Sequence, residues 1–166
     1  MATISEHFLS ASRKALASWH ERIQTCLDRL TAEQIWWRSG DSANAVGNLV
    51  LHLCGNVRQW IICGAGGATD TRDRDAEFAQ RDGISTEELK ARLAGVVAEA
   101  DQVLAGLTEA DLLQTRHIQI YDVTVLKAVH DSVHHFGHHA GQILYAAKML
   151  TGADLGFYRF LSKKQV

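Results

Sequence analysis

The apolar residues of this chain recur at spacings of three, four and seven over four long stretches, and none of its 166 residues is proline. That period buries one stripe of an α-helix, and without proline nothing rigid interrupts it. The first stretch carries Leu9, Leu16, Trp19, Ile23, Leu27 and Leu30, with Thr3 or Ser5 placed to cap its start. The second runs from about Asn44 to Gly64 on Val46, Leu49, Val50, Leu53, Val57, Trp60 and Ile61. The third opens at Ser85-Thr86-Glu87-Glu88, a capping-box pattern, and continues through Leu89, Leu93, Val96, Val97, Ala100, Leu104 and Leu107. The fourth spans roughly Asp122 to Leu150 on Leu126, Val129, Val133, Phe136, Ala140, Ile143, Ala147 and Leu150, and Gly152 is a natural stop.

Four such helices and no good strand pattern predict an all-α four-helix bundle, and the length suits a single domain over residues 1–166. The polar segment Gly64 to Gly83, with its mixed-charge run Asp70 to Asp82, is about 20 residues long. A loop of that length between helices 2 and 3 allows a crossover, and such loops are often functional. Asp111 to Ile120 reads as connector, with Gln119, Ile120 and Tyr121 as a short extended piece. Phe157, Tyr158 and Phe160 are expected to pack onto the bundle.

Composition excludes more than it assigns. Apolar residues at 46% and charged residues at 22% fit a folded globular chain. The formal net charge is −2, and Arg13-Lys14 is too short a basic patch for phosphate binding, so no nucleic-acid partner is expected. No apolar run approaches the roughly 18 residues of a membrane span. Cys26, Cys54 and Cys63 are odd in number and form no CxxC pair. With no secretory signal at the start, they predict a reducing, cytoplasmic compartment.

Histidine is the compositional oddity. The chain has nine, and the fourth helix reads His130-Asp-Ser-Val-His134-His135-Phe-Gly-His138-His139. Residues four apart share a helix face, so His130/His134, His134/His138 and His135/His139 each offer two imidazoles to one ion. At about 100° per residue, His135 and His139 flank the apolar stripe, whereas His134 and His138 fall nearer solvent. A ligand pair should border the core, where packing orients it, which favours His135 and His139. The argument separates them less well from His130/His134. His52, on the flank of the second helix, is the best third ligand. Cys54, about 200° away from it, cannot readily share its ion. Three neutral imidazoles leave a position open on a divalent ion, the arrangement of a catalytic rather than a structural zinc-type site. Asn56, Asp131 and Gln142 are candidate acceptors for the outer imidazole N–H groups. His7, His20 and His117 are isolated and read as solvated. Trp36, Trp37 and Trp60 read as core or helix-joint residues, and Arg38 and Arg58 as surface arginines.

Two segments carry a family resemblance. Asn48-Leu-Val-Leu-His52-Leu-Cys-Gly-Asn56-Val-Arg-Gln-Trp60 resembles the second-helix motif of the DinB-like superfamily. His135-Phe-Gly-His-His139-Ala-Gly141-Gln142-Ile143 resembles its other signature, and the resemblance covers about Ile4 to Leu150. It implies a four-helix bundle holding a metal through His52, His135 and His139, and association as a homodimer. Imidazole ligands suit several divalent ions, and zinc or nickel is the expected one. The resemblance also implies a possible activity, since some members are metal-dependent enzymes acting with low-molecular-weight thiols, including thiol S-transferases; many have no assigned activity. This chain has Ala140 where many members carry arginine. The functional expectation is a metal-dependent thiol transferase acting on a small-molecule substrate. The alternatives are a non-catalytic metal-binding or stress-associated protein and a helical interaction module with a histidine-rich surface.

Overall fold

The computed structural model describes residues 1–161. Its four long helical segments are α1 (Ile4–Leu27), α3 (Val46–Val57) with its continuation Arg58–Ala65, α5 (Thr86–Gly106) and α7 (Val125–Thr151). The short α2 (Ala32–Trp36), α4 (Arg74–Ala79) and α6 (Glu109–Leu112) lie in the connections. Local side-chain chemistry caps most helix starts, and a glycine stops α7. Thr3 caps α1 in a full capping box with Glu6, Thr124 caps α7 through the Lys127 N–H, and Gly152 ends α7 in the left-handed conformation. At α5 only half of the expected box forms. The Ser85 hydroxyl accepts from the Glu88 N–H, but the Glu88 carboxylate accepts from Arg92 instead.

The apolar stripes meet in one core, whose largest fully buried side chains include Leu16, Ile23, Leu53, Ile61, Leu89, Leu93 and Phe136. The order of packing differs from the simplest reading. α1 packs chiefly against α7 and α5, and α3 packs against α5 and α7. Helices 2 and 3 of the bundle are therefore neighbours and need no crossover. The diagonal steps are made through α2, and through α6 with a hairpin. The long loop between helices 2 and 3 instead folds back, and its short helix α4 packs on α3.

The second helix changes character at Arg58, where the ladder widens to π-helical bonding as far as Ala65. Such widened turns are frequent at functional sites. The connector before α7 is a hairpin, β1 (Thr115–Ile118) and β2 (Tyr121–Thr124), turning at Gln119, whose φ is 59°. The expected extended piece at Gln119–Tyr121 is thus mostly the turn. In the tail, Phe157 packs on the core and Arg22 donates to the Tyr158 hydroxyl at 2.8 Å, but Phe160 is exposed. Among the described residues, no helix is long and apolar enough to cross a membrane.

Candidate metal centre

α3 presents His52 and α7 presents His135 and His139 from a neighbouring helix, because both helices turn their apolar stripes to the shared core. Phe136 and Ala140, beside these two histidines in sequence, are fully buried. That leaves His135 and His139 half-buried on the flank, while His130, His134 and His138 stay exposed. One nitrogen from each of His52, His135 and His139 falls in a group spanning no more than 4.8 Å. The His52 and His135 Nε2 atoms are 2.8 Å apart. Tetrahedral bonding to a zinc-type ion at about 2.0–2.1 Å separates donors by about 3.3 Å, a value between the 2.8 Å of that pair and the 4.8 Å span of the set.

The outer nitrogens show which atoms are available. His139 Nδ1 lies 2.7 Å from the Gln142 amide oxygen. An amide oxygen only accepts, so Nδ1 carries the hydrogen and Nε2 keeps its lone pair. His52 Nδ1 lies 3.0 Å from Glu77 Oε2, which assigns His52 the same tautomer. Two lone pairs 2.8 Å apart would repel, so His135 Nε2 donates to His52 in the metal-free protein.

Of the three expected acceptors, Gln142 bonds a histidine and the other two do not. Asn56 is buried beside the site, but its Oδ1 accepts from Ser132 at 3.0 Å. The Asp131 carboxylate accepts from Lys127 one turn earlier on α7, at 2.5 Å, because an ammonium on the same face outcompetes a neutral ring. The partner that sequence reasoning missed is Glu77. It lies in the segment read as a polar loop, and α4 carries it back against His52. Arg72 grips its carboxylate with two bonds of 2.7 and 2.8 Å. The one available signal was the length of that loop.

His52 and His135 also line a cavity of about 380 Å³ with Trp60, Tyr121, Arg74 and Gln119. Trp60 is thus a cavity wall rather than a helix joint, with its ring centroid 6.2 Å from that of Tyr121. Trp36 packs against the core and its indole donates to the Ile84 carbonyl. Arg38 bonds Asn48 and Gln80, and Arg58 pairs with Glu99, so neither is simply a free surface charge. His20 is half-buried against Gln24, and His117 faces Asp122 across the hairpin at 2.8 Å.

Burial, aided by the neighbouring histidines and Arg72, pushes His135 down to about 4; burial also lowers His139, against the opposing effect of its hydrogen bond to Gln142. Burial alone would raise the Glu77 carboxyl, but the hydrogen bonds from Arg72 and His52 outweigh it and hold it below the usual range. An unfolded histidine protonates near 6.5. As pH falls below that value the unfolded chain gains protons that folded His135 refuses. The metal-free protein is therefore expected to lose stability as pH drops from about 6.5 to about 4, and Glu77 adds to the loss as its own depressed pKa is passed. Thermal unfolding of metal-free protein across that range checks this, a flat Tm being the contrary result.

Together the fold and the clustered histidines define a helical bundle with a candidate metal site. A family model described as a protein of unknown function (DUF1572), a DinB-like family, matches residues 3–162, and the chain belongs to that family. Among solved structures, a conserved protein from Enterococcus faecalis superposes with a TM-score of 0.76 at 17% identity, covering 92% of this chain and 100% of that one. A DinB-like protein from Bacillus subtilis, YjoA, gives a TM-score of 0.67 at 15% identity, covering 89% of this chain and 97% of that one. No curated protein matches.

Proposed function

We propose that the protein binds one divalent metal ion, zinc or nickel, through His52, His135 and His139, and uses it in a thiol S-transferase-type reaction. The observation that carries this reading is the convergence of three imidazole donors beside a cavity. A group of three histidines could hold an ion, and the donor set is one that zinc and nickel accept. When bound, the ion would supply Lewis acidity at an open position, favouring the thiolate form of a low-molecular-weight thiol. The chain's own cysteines are poor nucleophiles, since burial pushes Cys26 up to about 11 and Cys54 up to about 12. An external thiol fits better. Trp60 and Tyr121 offer apolar walls for a small electrophilic substrate, and Arg74 and Gln119 offer polar contacts. Homodimer formation, implied by the family resemblance, belongs to the same proposal and is checked by light scattering.

The test is metal content by elemental analysis of protein purified without a histidine tag. Wild type is expected to carry one ion per chain and His52→Ala to lose it. Absence of an ion from wild type, even after reloading, would overturn the reading. The metal-loaded protein is then expected to conjugate a thiol to some member of a broad electrophile panel, and no conjugation would leave metal binding without catalysis.

A further inference from the structure

The Glu77 carboxylate sits between a buried cation and a ring nitrogen. Its side chain is 10% exposed and that of Arg72 only 3%. Glu77 Oε2 lies 3.0 Å from His52 Nδ1 and 2.8 Å from Arg72 Nη2. Arg72 Nη2 also lies 3.0 Å from His52 Nδ1, but that nitrogen cannot accept from Arg72 while it donates to Glu77. The ionised carboxylate is the stronger acceptor and takes the ring hydrogen. Room for this pair is built into α3. A Cβ on Gly55 would lie 1.8 Å from Glu77 Oε1, so a glycine three residues after His52 lets the carboxylate rest against the helix. The segment is also fastened from below. Buried Asn48, one turn before His52, donates to the Glu77 and Gln80 carbonyls at 2.8 and 2.9 Å. Glycine cradle, amide anchor and arginine clamp converge on one carboxylate.

We propose that Glu77, clamped by Arg72, is a positioning residue that holds His52 in its Nδ1–H tautomer, with the Nε2 lone pair turned toward His135 and His139. The consequence for metal affinity rests on the three-histidine reading above; the tautomer itself does not. Glu77 touches no reacting atom and acts only through His52. Carboxylates placed this way raise the basicity of a histidine ligand, and removing them typically costs about 10–100-fold in metal affinity.

The test compares wild type, Glu77→Gln and the double variant Arg72→Met/Glu77→Leu, which removes both charges together and so leaves no buried ion unpaired. Long-range ¹H–¹⁵N spectra of metal-free protein report the His52 tautomer directly. Zinc affinity is measured by competition with a chromophoric chelator. Wild type is expected to show His52 as Nδ1–H, the double variant to lose that preference, and zinc affinity to fall about 10–100-fold in the double variant and less in Glu77→Gln. An Nε2–H tautomer in wild type, or an unchanged tautomer in the double variant, overturns the proposal, as does unchanged zinc affinity beside a zinc-binding wild type. If wild type binds no zinc, the metal reading falls alone, and the spectra still decide the role of Glu77.

Discussion

Glu77→Ala is expected to destabilise the protein by about 3–5 kcal/mol, toward the lower figure. The substitution strips the carboxylate from an Arg72 side chain that is only 3% exposed, stranding a cation with little access to water. Gln59 Oε1, 2.9 Å from Arg72 Nη1, remains as a neutral acceptor and softens the loss. Urea unfolding measures it. Arg72→Met/Glu77→Leu should lie far closer to wild type, because replacing both members of a buried pair with apolar groups is often nearly neutral. A single-variant cost below about 1 kcal/mol would mean the pair is solvated, as exposed ion pairs are.

Phe136→Ala should cost a similar amount, about 3–5 kcal/mol, for a different reason. The ring is fully buried between α7 and the rest of the core. Its removal loses the transfer free energy of an aromatic side chain and leaves a cavity that the helices close only in part. For a chain of this size the Tm should fall by roughly 6–20 °C. His134→Ala, two residues away but exposed, should stay within about 0.5 kcal/mol. Calorimetry on the two variants separates them. Equal melting temperatures would mean that α7 is not held by the stripe on which Phe136 lies.

That contrast also marks how far the site is readable from the sequence. A helix imposes a rotation of about 100° per residue, so an apolar stripe alone sets which histidines border the core. The stripe through Phe136, Ala140 and Ile143 places His135 and His139 at its edge and His134 and His138 outside it, and the observed exposures follow that order. Helix ends are equally local. Thr3, Ser5 and Ser85 offer hydroxyls where orphan N–H groups need them, and the structure selects Thr3 over Ser5.

The all-α class, the four long helices and their amphipathic faces were therefore determined by the sequence itself, because each depends on residues within a few positions of one another. The hairpin was missed because Gln119 and Ile120 carry no strong turn signal, and its pairing depends on a neighbouring strand. Which helices are neighbours, and the return of the long loop onto α3, were decided only in the tertiary structure. Glu77 shows why. It lies 25 residues from His52, amid other acidic side chains that face water, and nothing local distinguishes it from them. Only when α4 docks do Asn48, Gly55 and Arg72 give that one carboxylate a dry, hydrogen-bonded place beside the histidine.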